Sequence, residues 1–77
     1  MQRMSSFVIE RNVYDENYHI THSIYLKDHS QNNEPIWTDN ITEAEVFTTR
    51  ARAASARESL RFIVSDHMVI KQIPIKL

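Results

Sequence analysis

The chain predicts an α+β domain: a mainly antiparallel sheet of three to four strands in the order β-β-β-α-β, with one helix packed on one face. Three observations predict it. Apolar and polar side chains alternate with a period of two over residues 18–28, and more loosely over 5–14. The period then switches to a helical one in ITEAEVFTTRARAASARESLRFIV, residues 41–64. Finally, 77 residues of which 42% are hydrophobic and 25% charged suit one domain, 1–77, near the lower size at which a core alone supports folding.

The first strand, 5–14, carries Phe7, Ile9 and Val13 on one face, interrupted by Arg11, and Val8, Glu10, Asn12 and Tyr14 on the other. Asp15-Glu16-Asn17 is a polar turn of hairpin length. In the second strand Tyr18, Ile20, His22, Ile24 and Leu26 share a face, opposite His19, Thr21, Ser23, Tyr25 and Lys27. DHSQNNEP, residues 28–35, is a loop, and Pro35 opens a short third strand, Ile36-Trp37-Thr38. By parity Tyr14, Tyr25 and Trp37 are expected together, with Val8, on the sheet face the helix leaves open.

Thr42-Glu43-Ala44-Glu45 fits a capping box with Ile41 and Val46 as a hydrophobic staple. Thr48 and Thr49 predict a break and a second start, and from Arg50 helix propensity is high. At about 100° per residue, Ala53, Ala56, Leu60, Ile63 and Val64 form the buried stripe. Arg50, Arg57 and Arg61, with Ala54 between them, form an adjacent flank; Arg52 points elsewhere, and Phe62 falls off the stripe, which puts the helix end near it. The last strand, 68–77, is apolar on both faces, so it is expected to be central or in contact with another chain, with Pro74 confined to an edge.

Composition excludes several chemistries. Without cysteine there is no disulfide, thiolate zinc site or cysteine nucleophile. Without glycine there is no P-loop, dinucleotide fingerprint or nucleophile elbow, and positive φ is expected at Asn12, Asp15, Asn17, Asn32 or Asn33. The start has no apolar run, which points to a cytoplasmic protein with no membrane partner. His19 and His22 are three apart in a strand and face opposite ways, so no metal is expected; His22 is placed at the core edge. Asp28-His29-Ser30 is too contiguous for a relay, and no catalytic residue or cofactor is assigned.

Two groups remain as candidate partner-binding residues. Arg50, Arg57 and Arg61 suit a phosphate or an acidic protein surface, and Tyr14, Tyr25 and Trp37 suit a protein interface or stacked bases. Charge is segregated: residues 1–47 hold eight acids against three bases, and residues 48–77 hold six bases against Glu58 and Asp66, for a net charge of −1. That balance is poor for a dedicated nucleic-acid binder.

The run Ile36-Trp37-Thr38-Asp39, then Glu43-Ala44, Val46-Phe47 and an Ala-rich helix ending at Leu60, resembles small accessory proteins encoded by phages and prophages of Gram-positive bacteria. The resemblance spans residues 6–70 and implies a class of role: binding and redirecting host or phage macromolecules, defence nucleases among them, in the host cytoplasm. It transfers no site residue. The expected function is a non-enzymatic protein-interaction module, an inhibitor or modulator of such a macromolecule. The alternative is a nucleic-acid-binding accessory protein using the arginine flank, and a homodimer through the final strand is a further partner reading.

Overall fold

The first strand, β1 (Ser5–Tyr14), sits inside a four-stranded sheet because both its faces are apolar where it matters: Val8 and Ile9 point opposite ways and both are fully buried. The computed structural model describes residues 5–29, 34–64 and 67–74. Around β1 lie β2 (Ile20–Asp28), β3 (Ile36–Thr38) and β4 (Met68–Pro74), in the order β3-β2-β1-β4 with every neighbour antiparallel. One helix, α1 (Arg50–Leu60), covers one face, which makes the fold α+β. The expected loop at 28–35, the turn after Val64, the last residues of the final strand, and Asn32 and Asn33 fall wholly or partly outside the described residues.

The β1–β2 hairpin closes on Asp15. Its carboxylate accepts from the backbone N–H groups of Asn17 (2.8 Å) and His19 (2.9 Å), and Asp15 N donates to the His19 carbonyl at 2.9 Å. This leaves a three-residue loop, whose last position needs a left-handed backbone. That position is Tyr18, at φ 63°. The left-handed residue is therefore a tyrosine and not one of the described Asn or Asp residues, because loop length sets the requirement and residue type only answers it.

At its other end the hairpin splits. Pairing between β1 and β2 stops at Glu10↔Tyr25, and a strap of extended chain enters the gap. Glu45 N donates to the Leu26 carbonyl (2.8 Å), while Phe47 exchanges two backbone hydrogen bonds with Phe7 (2.8 and 2.9 Å). The strap replaces the expected first helical turn. Only Ile41–Glu43 is helical there, as one 3₁₀ turn capped by Asn40, whose side chain accepts from Thr42 N at 3.0 Å. Glu45 is thus taken by the sheet and no capping box forms; Val46, the expected staple partner, is 52% exposed.

The second start is where the sequence puts it. Thr49 is the N-cap of α1, its hydroxyl accepting from Arg52 N at 3.1 Å. Ala53, Ala56 and Leu60 are buried against Phe7, Ile9, Leu26, Phe47, Val64 and Met68. Alanines in the first turns and Leu60 in the last supply the buried side of the helix. Because α1 ends at Leu60, helical phase is lost beyond it: Val64 folds back into the core, but Ile63, expected there, is 61% exposed, and Phe62 is exposed.

Register decides the faces. Leu26 pairs with Trp37, and Ile9 with Ile70, so Trp37 and Ile70 stand on the helix side and pack against the core. Trp37 is therefore not on the open face with Tyr25, as parity along an isolated strand implied, and the register shift at Val13/Tyr14 sets Tyr14 opposite Ile20, which shares the helix-side face with His22, Ile24 and Leu26. An 11-residue helix spans about 16 Å, enough for the Leu26 end of β2 only. Ile20 and His22 remain exposed despite their clean alternation, and His22 is not at the core edge. β4 is an edge strand, not a central one: its Met68 and Ile70 are taken by the core, and Val69 and Ile73 lie on the open face.

Candidate functional site

Helix α1 divides its polar residues between two flanks. At about 100° per residue, Arg50, Arg57 and Arg61 follow one side of the buried stripe, and Arg52, Ser55 and Ser59 follow the other. The expected arginine flank is therefore present as a geometric unit. Arg61 reaches Glu58 at 3.2 Å in an exposed pair, which contributes little. Arg50 lies over the Phe7 ring, 5.1 Å from its centroid. Among the described residues neither Arg50, Arg52 nor Arg57 has a carboxylate partner.

The acids are engaged elsewhere: Glu10 with Lys71 at 3.5 Å, Glu43 with Lys27 at 3.8 Å, and Glu45 with His29. The segregation of charge along the chain thus survives folding as a helix whose Arg50, Arg52 and Arg57 have no carboxylate partner among the described residues, above a strand whose Glu10 is paired with Lys71.

The three aromatic candidates do not form one surface. Trp37 is packed on the core and covered by Arg11, whose guanidinium carbon is 5.2 Å from the ring centroid. Tyr25 is half-buried on the open face opposite Glu10. Tyr14 lies four residues farther along β1, beyond a bulge and roughly 13 Å away at strand rise. Two tyrosines so far apart, with a register shift between them, are no continuous stacking platform.

On the Arg52 side an open groove of about 410 Å³ runs between α1 and the strap, lined by His29, Glu45, Val46, Phe47, Thr48, Arg52, Ser55, Ala56 and Ser59. Its strongest contact is His29 Nδ1 to Glu45 Oε1 at 2.6 Å, between half-buried side chains. The carboxylate accepts, so Nδ1 carries the hydrogen and Nε2 is left for another partner. The His29 ring also lies 5.9 Å from that of Phe47, tilted by 42°. Sequence reasoning missed this pair because 16 residues separate it and both members had local explanations, loop and helix start.

Among the described residues no cluster of His, Asp or Glu could hold a metal ion, and no helix is long and apolar enough to cross a membrane. Comparison with protein-family models, with curated proteins and with solved structures gave no match.

Proposed function

We propose that this chain is a non-enzymatic protein-interaction module that docks the Arg50–Arg57–Arg61 flank of α1 against an acidic surface of another protein and thereby modulates it. One observation carries the reading: Arg50 and Arg57 stand on a helix without a carboxylate partner among the described residues, while Glu10, Glu43 and Glu45 are paired elsewhere. Guanidinium forks held on a helix recognise carboxylates bidentately and are enriched at interfaces. Phage origin and a defence nuclease as target are supported by the resemblance of residues 6–70 alone.

Nucleic acid is the second reading, favoured by the same unpaired arginines. The two differ in salt response: three phosphate contacts give a log–log slope of affinity against salt of about −2.7 on duplex DNA. The deciding experiment captures partners of the tagged chain from host lysate, with and without nuclease, beside an Arg50→Glu/Arg57→Glu variant checked for folding by circular dichroism. A protein retained after nuclease and lost in the variant is the expected result. Capture that persists in the folded variant sinks the reading, and capture abolished by nuclease transfers the flank to nucleic acid.

A further inference from the structure

The groove on the opposite side of α1 carries polar groups that the arginine flank does not use. Its volume of about 410 Å³ lies within the span of small-ligand sites, about 300–1,000 Å³. Arg52 is its one lining cation and has no carboxylate partner among the described residues, although Glu45 lines the same groove. Glu45 is instead held by the Nδ1–H of His29 at 2.6 Å. The Ser59 hydroxyl is spent on the Ser55 carbonyl at 3.3 Å, whereas the hydroxyls of Thr48 and Ser55 donate to no group among the described residues. A guanidinium fork and two hydroxyl donors thus line one groove beside an apolar wall of Val46, Phe47 and Ala56.

We infer that this groove binds a small phosphate monoester whose organic group is apolar. Three terminal oxygens can accept from the Arg52 fork and from the Thr48 and Ser55 hydroxyls together, which a planar carboxylate serves less completely. The organic group lies on Val46 and Phe47, and Nε2 of His29 accepts from the phosphate when that carries a proton. The site is separate from the proposed protein-docking flank, so either can fail without the other.

The test is a titration of the full, ¹⁵N-labelled chain with phenyl phosphate and, in parallel, benzoate at one fixed ionic strength, followed by amide shifts. Saturable changes at Thr48, Arg52 and Ser55 are expected. Benzoate should bind at least about tenfold more weakly, and Arg52→Gln should weaken phenyl phosphate by at least about tenfold, the loss of one charge-assisted contact. Arg57→Gln should leave binding within about twofold. A linear, unsaturated response overturns the proposal; so does binding that survives Arg52→Gln, or benzoate that matches phenyl phosphate.

Discussion

Tyr18 shows how a single residue can be held against its own preference. A tyrosine at φ 63° places Cβ against the following carbonyl, a conformation that asparagine or glycine adopts more readily. The ring gives nothing back, being 86% exposed. Tyr18→Asn is therefore expected to stabilise the domain by about 0.5–1 kcal/mol, read as a higher denaturant midpoint at unchanged slope. Trp37 presents the converse case. Expected as an exposed anchor, it packs on the core under Arg11, so Trp37→Ala should lower stability by about 2–3 kcal/mol, less than a fully buried tryptophan. Loss of partner binding in that variant would report on folding, which makes chemical denaturation the measurement to run beside any binding assay.

At the scale of elements, the stretch 41–64 is one 3₁₀ turn, one extended strap and one helix, each stopped by a specific group. Thr49 caps the start of α1; Thr49→Ala should cost about 1 kcal/mol, and Thr49→Asp should retain stability. The strap is tied down twice, by backbone pairing to Leu26 and Phe7 and by the His29–Glu45 contact across its outer side. Because these side chains are about one-third exposed, solvent weakens the contact. A double-mutant cycle with His29→Ala and Glu45→Ala should return a coupling of about 0.5–1 kcal/mol. A coupling near zero would leave the backbone bonds alone holding the strap.

For the molecule as a whole, one helix on four strands leaves a small core and an opposite face on which Val8 is fully buried and Val69 exposed. Leu26 is the point where the parts meet: its carbonyl receives the strap, its strand partner is Trp37, and its fully buried side chain lies in the cluster with Ile9 and Ala53. Leu26→Ala is expected to cost about 3–4 kcal/mol, a large part of the 5 or so kcal/mol typical of small domains. Urea denaturation of this variant should show a large folded-state loss at room temperature, where Ile20→Ala, at 57% exposure, shows little. The edge strand β4 carries Lys71, bonded to Glu10, and Pro74, both of which discourage strand addition. A homodimer through that edge is tested directly by the concentration dependence of mass in sedimentation.

The sequence by itself determined the order of the strands and of helix α1. Residues 5–14 match β1, the break at Thr48-Thr49 stands where the second helix start was expected, and Arg50, Arg57 and Arg61 keep their common flank. These features are local: period, cap chemistry and propensity act within a few residues, so they can be read along the chain. Tertiary structure decided which face each residue joined. Trp37 moved to the core because β2–β3 register set its side, Glu45 left its capping box because Leu26 and His29 offered better partners, and Ile63 lost its stripe because α1 ended at Leu60. The groove beside Arg52 likewise exists only because the split β1–β2 hairpin admits the strap. Each of these outcomes depends on groups more than ten residues apart or on where an element stops, and no local pattern carries that information.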